Sequence, residues 1–412
     1  LAYHVETLSG RASTLISKQP LYEAYREYSI GIEEFLDFDY AQSMKHFERA
    51  IELDPEFMCP QLGLATIYNN QGRKAKADLL FQQINLNRER LSQYEKHGLD
   101  FMKAGYIDGR PDKALEAIRQ AEKLNPKSIV DNFLLGQFAL MRNYPWETIE
   151  IQNKIEPESY EAWFMTFWGR NWFRQMIRAF HRLGNYKQAL REVKRAQEYY
   201  PNDLRLLLDK AKALVALNRI EEVKEVIEDS LLITSRTGDQ GQIMLAASRE
   251  LRIYGHTEDA QELADQAVRW YRDLSSEEEA GEALQENLAL ALFEAGDLDE
   301  SSALFKTLSA GNPENIEYIG YLGVIAAMKG DREEAQRISD KLQEIDRPYI
   351  LGRHTYWRAC IAANLNDKEK AVKLLSEAFS KGCSYTNILY NDKSFDPLRD
   401  YKPFIDLLKP KR

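Results

Sequence analysis

The residues whose side chains are best suited to bind another molecule are cations and amides between positions 171 and 252. They recur at intervals of three, four or seven residues within short stretches, so several of them share one face of a helix. An Arg guanidinium binds a carboxylate or a phosphate through two parallel hydrogen bonds, and Lys adds a further positive charge. The candidate binding residues are Asn171, Arg174, Arg178, His181, Arg205, Lys212, Gln242, Arg249 and Arg252. Their pattern indicates a surface that attracts acidic groups.

The elements that position these residues follow from a repeated helical pattern. Residues 181–203 show it once: Gly184 closes a turn, Ala189 and Ala196 lie seven apart on one helical face, and Pro201 ends the helix. Small residues at the Ala189 position recur at intervals of 34, 37, 34, 41, 34, 37, 41, 34 and 36 residues. We call them anchors, and they are Ser43, Ala77, Ala114, Thr148, Ala189, Val223, Ala260, Ser301, Ala335 and Ala371. Such a period is typical of stacked helical hairpins, and about 34 residues is the tetratricopeptide length.

The anchor pattern has a packing explanation. A small residue is needed where two helices cross closely, and a larger apolar residue follows four positions later at Phe47, Phe81, Val193 and Phe305. One hairpin cannot bury its own apolar stripe, so neighbouring hairpins must stack. The sequence therefore predicts an all-α fold, a right-handed superhelical solenoid of about ten tetratricopeptide-like helical hairpins.

The repeat pattern also predicts where the candidate binding residues point. In arrays that resemble this one, the first helix of each hairpin lines a concave groove, and residues about 18, 15, 11 and 8 positions before the anchor face inward. Counting back from Ala189, Val223 and Ala260 gives twelve positions, of which nine are the polar candidates and three are Leu208, Val215 and Leu245. Two interpretations remain open: the groove cations bind an acidic partner, or they pair with acids of neighbouring helices such as Asp209 and Glu250.

Parts of the chain resemble a narrower group of proteins. Residues 20–57 and 394–408 look like the opening and closing of the repeat region of bacterial sensor proteins, and residues 91–101 and 178–203 are similar to its middle. Those proteins carry serine/threonine kinases, nucleotide cyclases or winged-helix transcriptional regulators in front of the repeats. The resemblance implies that any catalytic domain of a parent protein lies outside these 412 residues.

The ends of the chain depart from the repeat. Residues 1–20 are predicted to form a connecting helix or the end of a missing domain, residues 21–389 the repeat array, and residues 390–412 a C-terminal capping segment. The chain begins with Leu rather than Met, so we expect a processed product or an excised piece.

An aromatic segment, residues 159–184, carries three Trp and four Phe and coincides with one of the 41-residue intervals. It is predicted either to pack a wider seam between repeats or to present an aromatic wall to a ligand. Earlier in the chain, Ser92 and Glu95 predict a capping box at the start of a helix.

Composition excludes several classes of function. The net charge of −10 argues against nucleic-acid binding by the surface as a whole, because neutralising phosphates requires an excess of Lys and Arg. Three scattered Cys and six unpaired His predict neither a metal site nor a disulfide framework, and no cofactor is expected. No apolar run is long enough to span a membrane. A cytoplasmic location is expected, with the periplasm left open.

These patterns lead to two hypotheses. The first is a non-catalytic interaction scaffold or sensor module that binds a peptide or an acidic partner segment in its concave groove. The alternative is a regulatory or dimerisation region of a larger signalling enzyme or transcriptional regulator. In both, the expected partner is a protein or peptide, there is no direct nucleic-acid contact and no membrane span, and the oligomeric state is open.

Overall fold

The computed structural model describes residues 15, 17–234, 239–277, 281–385 and 388–412, and these residues form α-helices with no strand among them. The chain divides into two compact units, unit 1 (residues 1–175 with Arg412) and unit 2 (residues 176–411). Residues 1–14 and 16, on which most of the predicted connecting helix falls, lie outside the described residues. The helices are α1 (Tyr22–Leu36), α2 (Tyr40–Leu53), α3 (Met58–Asn70), α4 (Lys74–Leu86), α5 (Gln93–Met102), α6 (Pro111–Leu124), α7 (Ile129–Met141), α8 (Pro145–Gln152), α9 (Glu161–Phe164), α10 (Phe167–Arg182), α11 (Tyr186–Tyr199), α12 (Leu204–Ala216), α13 (Ile220–Leu231), α14 (Gln240–Ile253), α15 (Thr257–Glu277), α16 (Glu282–Ala295), α17 (Leu298–Gly311), α18 (Ile316–Met328), α19 (Arg332–Gln343), α20 (Arg353–Asn364), α21 (Lys368–Ser380) and α22 (Lys402–Leu408).

The helices pair as hairpins in the predicted register. Every anchor lies in the second helix of a consecutive pair, and none is more than 5% exposed. The larger apolar residues four positions later, Phe47, Phe81, Val193 and Phe305, are also buried. Within the described residues this gives ten hairpins, from α1 with α2 to α20 with α21. The predicted fold class, an all-α solenoid of stacked hairpins, is confirmed.

Hydroxyl anchors fit the crossing because each finds an acceptor on the facing helix. Ser43 Oγ donates to the Gly31 carbonyl at 2.7 Å, and Ser301 Oγ donates to the Ala289 carbonyl at 2.9 Å. Thr148 Oγ1 likewise donates at 2.9 Å to a carbonyl twelve residues earlier. A buried hydroxyl without a partner is costly, and these bonds remove that cost. Ser and Thr therefore substitute for Ala where the two helices touch.

One glycine is required by close packing in unit 2. A Cβ on Gly320 of α18 would lie 2.0 Å from Cδ2 of the buried Trp357 on α20. No real Cβ contact is that short, so the glycine lets the indole lie directly against the backbone of α18.

The part of the aromatic segment that belongs to unit 1, residues 159–175, packs within that unit. Trp163, Phe164 and Trp172 are each no more than 6% exposed. Trp168 stacks on Phe35 at a centroid distance of 6.0 Å and meets Phe133 edge-on at 5.4 Å. The first and fourth hairpins of unit 1 therefore meet at Trp168. These are packing contacts between aromatic side chains of different hairpins, which is the first of the two arrangements considered for the segment.

The end of the chain joins the core of unit 2. We call residues 388–412 the terminal segment; it contains two 3₁₀ turns, Ile388–Tyr390 and Lys393–Leu398, followed by α22. Phe395 and Leu398 are fully buried, and Phe404 is 2% exposed. They share one apolar cluster with the last hairpin, which contributes Leu375 and Phe379. The terminal segment thus covers the apolar side of that hairpin.

Candidate functional site

The candidate binding residues lie on three first helices of their hairpins. Asn171, Arg174, Arg178 and His181 are on α10, Arg205 and Lys212 on α12, and Gln242, Arg249 and Arg252 on α14. Asn171 and Arg174 belong to unit 1, and the other seven belong to unit 2. We call the side of unit 2 formed by the end of α10 and by α12, α14, α16 and α20 the first-helix face.

Capping residues fix where α12 and α14 begin. The Asp203 carboxylate accepts from the backbone N–H of Arg205 and Leu206, and the Asp239 carboxylate accepts from that of Gln242. Each cap satisfies N–H groups that the first turn leaves without intrahelical partners. Arg205 and Gln242 are therefore held in the first turns of their helices.

Glu250 of α14 is the centre of a buried charged cluster. Its carboxylate lies 2.9 Å from His181 Nε2 and 3.6 Å from Lys212 Nζ, and it accepts a 2.8 Å hydrogen bond from Asn391 Nδ2 of the terminal segment. Burial alone would raise the pKa of Glu250, but Lys212, His181 and Asn391 stabilise the charged form and lower the pKa to about 2. Glu250 is consequently ionised at neutral pH and is in contact with two of the predicted groove residues, Lys212 and His181.

Arg249 and Arg252 also have acidic partners. Arg249 Nε donates to Glu294 Oε1 of α16 at 2.6 Å, and Glu294 is buried. Burial by itself would lower the pKa of Arg249, but the Glu294 charge outweighs it and raises this pKa above its ordinary value. Arg252 contacts the Asp396 carboxylate through Nη1 and donates from Nη2 to the Asn391 carbonyl at 2.7 Å. Both guanidinium groups are thus engaged within unit 2.

The remaining candidates differ in exposure. Arg178 Nε lies 3.9 Å from Asp209 Oδ1, and the Arg178 side chain is 38% exposed. Gln242 is exposed and Arg205 is partly exposed. Lys212 and, in unit 1, Arg174 are each only 7% exposed. The two acids named as internal partners in the sequence analysis, Asp209 and Glu250, do lie beside the groove cations.

The terminal segment lies across the first-helix face, which the sequence analysis did not anticipate. Lys393 Nζ donates to the Phe293 and Glu294 carbonyls at the end of α16, at 3.0 and 2.7 Å. Asn364 Nδ2 of α20 donates to the Ser394 carbonyl at 2.8 Å. Tyr356 of α20 donates to Asp392 at 2.7 Å. The face therefore binds the protein's own C-terminal peptide through carbonyls and carboxylates.

Arg182, at the end of α10, is a functional residue that the sequence analysis missed. Its Nη2 donates to the Tyr385 carbonyl at 2.9 Å, and its guanidinium carbon lies 5.1 Å from the centre of the Tyr390 ring. Burial lowers the pKa of this guanidinium below its ordinary value. Arg182 comes one residue after His181, so it is not at one of the positions that the repeat pattern predicts to face inward. No sequence signal near it indicates a partner about two hundred residues away.

The polar groups of this arrangement form hydrogen bonds and ion pairs with one another and with the terminal segment. They are Arg, Lys and amide donors aimed at carboxylates and carbonyls. Among the described residues, no group of three or more His, Cys, Asp or Glu side chains is placed to hold a metal ion. Nor does any helix in the described ranges combine the length and the apolar character needed to cross a bilayer.

Comparison with known proteins identifies the repeat. Residues 181–246, which include four of the candidate binding residues of unit 2, match the tetratricopeptide repeat family. The predicted tetratricopeptide repeats are thus confirmed over residues 181–246. A comparison with curated proteins finds no match. The narrower resemblance to the repeat regions of bacterial sensor proteins stays a prediction.

Solved structures with similar helical arrays are distant in sequence. A tetratricopeptide repeat protein from Parabacteroides merdae is 15% identical, with a TM-score of 0.34 over 74% of this chain and 98% of that one. The Cut9–Hcn1 hetero-tetramer structure is 12% identical, with a TM-score of 0.32 over 88% of this chain and 87% of the other. The Naa15/Naa10 structure bound to HypK-THB is 15% identical with a TM-score of 0.29, and the match covers 86% of this chain but 58% of that chain. The repeat assignment therefore depends on residues 181–246 and on the hairpins themselves.

Proposed function

We propose that the chain is a non-catalytic protein-interaction scaffold whose unit 2 binds an acidic peptide segment along its first-helix face. Repeat arrays present extended surfaces to their partners, and a preformed surface binds without a large ordering cost. One observation carries the proposal: this face already binds a peptide, because Arg252 contacts both the Asp396 carboxylate and the Asn391 carbonyl of the terminal segment.

The candidate residues have two different parts in this proposal. His181, Lys212, Arg249 and Arg252 hold internal acids and the terminal segment, so they shape the face. Arg178, Arg205 and Gln242 lie nearer to solvent and make the contacts with the partner. Asn171 and Arg174 belong to unit 1, so the proposed surface of unit 2 does not include them.

Electrostatics favour a carboxylate at Arg178. Its ion pair with Asp209 is long at 3.9 Å, whereas a guanidinium and a carboxylate in bidentate contact are about 2.7–2.9 Å apart. A partner carboxylate at the shorter distance gains a charge-assisted hydrogen bond, and Asp209 still contributes to the alignment of the guanidinium. The partner segment we expect therefore carries at least two acidic side chains, one for Arg178 and one for Arg205.

The test compares two double substitutions that remove the same charge. Arg178→Gln with Arg205→Gln neutralises the first-helix face, and Arg191→Gln with Lys194→Gln neutralises two exposed residues of the second helix α11. Proteins captured from the native lysate by each variant and by the unmodified chain are identified by mass spectrometry. We expect a partner that the α11 variant retains and the first-helix variant loses. Equal retention by both variants overturns the assignment of the surface.

A further inference from the structure

A pocket of about 210 Å³ remains between the first helices of unit 2 and the terminal segment. Its floor contains Lys212, Glu250 and Asn391, all of which are less than one-tenth exposed. Tyr186 and Tyr254 stand at its rim. The pocket is therefore a polar, charged floor under an aromatic opening, and the contacts described so far do not fill it.

The floor has hydrogen-bonding capacity that the protein does not use. Asn391 Nδ2 donates to Glu250, which fixes the orientation of the amide, yet Asn391 Oδ1 is buried with no donor among the described residues. The Lys212 ammonium lies 3.6 Å from Glu250 Oε2, which is an ion-pair distance rather than a hydrogen bond. An ammonium has three donors, and buried polar groups are normally satisfied. The floor thus offers one acceptor and at least one donor to a molecule in the pocket.

The charges that face the pocket favour an anion. Lys212 and Arg182 are two cations, and Glu250 is the one carboxylate that lines the pocket. Glu250 is paired with Lys212 and hydrogen-bonded by Asn391, so the residues that line the pocket carry one positive charge more than they carry negative charges. A bound carboxylate balances the excess positive charge of the lining and accepts hydrogen bonds from the Lys212 ammonium.

The rim is suited to a flat or apolar body. The Tyr186 and Tyr254 hydroxyls lie 2.5 Å apart, and their rings meet edge-on with centroids 6.3 Å apart. Tyr254 is 40% exposed and the neighbouring Ile253 is 38% exposed, although both are large hydrophobic side chains. Tyrosines at a binding surface supply rigid apolar area together with a polar hydroxyl.

We propose that this pocket binds a small organic carboxylate that also carries a hydrogen-bond donor. Its carboxylate lies against Lys212 in the positive field of Arg182, its donor bonds Asn391 Oδ1, and its body packs against the side chains of Tyr186 and Tyr254. At about 30 Å³ for each water, the pocket holds roughly seven waters, which is the space of a molecule with about ten non-hydrogen atoms. The pocket lies on the first-helix face, but Arg178, Arg205 and Gln242 do not line it, so its occupancy is tested separately from partner binding.

The probes are 4-hydroxybenzoate and L-glutamate, each compared with an analogue in which the α- or ring carboxylate is an amide. Binding to the full chain is measured by isothermal titration calorimetry. We expect at least one acid to bind and its amide to bind about ten- to a hundredfold more weakly, the range for loss of a charge-assisted hydrogen bond. Absence of binding by both acids, or equal binding of acid and amide, overturns the proposal and indicates a pocket that holds water only.

Two variants locate the site. Lys212→Met retains the length of the side chain and removes the charge, and we expect it to weaken acid binding by about tenfold or more. Lys210→Met on the same helix is the matched control and leaves the affinity unchanged. Tyr254→Ala removes a ring at the exposed rim and leaves the residues of the floor in place, and we expect it to weaken acid binding. It therefore tests the site even if Lys212→Met does not fold. Unchanged affinity in the folded pocket variants refutes the assignment.

Hydrogen exchange provides a second readout. Because Asn391 belongs to the terminal segment, a bound acid protects the backbone amides around residues 388–398 of that segment from exchange. Protection elsewhere with none in this segment places the ligand at another site and contradicts the proposal.

Discussion

The charge of Glu250 is predicted to be a large contributor to the stability of unit 2. Glu250→Gln retains the shape of the side chain and an oxygen for Asn391, but it removes the negative charge that faces Lys212 and His181. Binding of these partners lowers the pKa of Glu250 from 4.5 to about 2, and its side chain is 6% exposed. At about 1.4 kcal/mol for each pH unit, the substitution costs about 3 kcal/mol of the free energy of unfolding at pH 7.

The same shift fixes the pH dependence. A carboxylate whose folded-state pKa is lowered stabilises the protein fully above its unfolded-state pKa of about 4.5, and this contribution is lost as the pH falls toward 2. Glu250→Gln therefore differs most from the unmodified chain at neutral pH, and the two converge as the pH falls through this window.

Hydrogen exchange measured by mass spectrometry is the appropriate assay because it reports the opening free energy of α12 and α14 separately from that of unit 1. Glu225→Gln on the exposed part of α13 is the matched control, with an expected effect below about 0.5 kcal/mol. A loss in α12 and α14 as small as that of the control, or a loss that persists unchanged at pH 2, refutes the reasoning.

Three further substitutions test the packing. Gly320→Ala places a Cβ 2.0 Å from Trp357 and should cost about 1–3 kcal/mol in urea denaturation, whereas Gly311→Ala, which meets no atom within 4 Å, should cost little. Phe395→Ala removes a fully buried ring and should lower the free energy of unfolding by about 3–5 kcal/mol. The control Ile405→Ala, whose side chain is 44% exposed, should lower it by less than about 1 kcal/mol. A small effect of Phe395→Ala would show that the terminal segment is loosely held. Ser92→Ala removes the observed capping box of α5 and should speed hydrogen exchange in that helix by the equivalent of about 1 kcal/mol; unchanged exchange rates would contradict the capping role.

The fold was predictable because its information is local and repeated. Ala189 and its counterparts recur wherever a helix pair must cross closely, so a single rule locates ten hairpins. The capping box of Ser92 and Glu95 was predicted for the same reason, since both partners lie within one turn. Stacking of identical units leaves few alternatives for the apolar stripe.

The candidate site was only partly predictable because its decisive contacts are distant in sequence. Periodicity placed Arg252 on the first-helix face, yet its partners Asn391 and Asp396 lie 139 and 144 residues away. Nothing in a repeat pattern specifies where a segment beyond the last repeat returns. Acids within the array were easier to anticipate, since Asp209 and Glu250 lie on first helices of hairpins next to those of the cations they accompany.

The aromatic segment illustrates the same limit in unit 1. Its composition and the longer repeat interval indicated an insertion, but both a packed seam and a ligand-facing wall satisfied those observations. The contact of Trp168 with Phe35 joins residues 133 positions apart, and only the structure shows it. The packing partners of residues at repeated positions lie in the same or the next hairpin. The packing partners of inserted residues lie elsewhere in the chain, so the repeat pattern does not predict them.

The most direct test of the proposed function is the affinity of a partner-derived acidic peptide for unit 2 of the full chain, measured by calorimetry for the two matched double variants. If the first-helix face is the binding surface, Arg178→Gln with Arg205→Gln weakens binding by about tenfold or more, and Arg191→Gln with Lys194→Gln leaves it unchanged. Equal affinities of the two variants would contradict the account and place the partner on another surface of the protein.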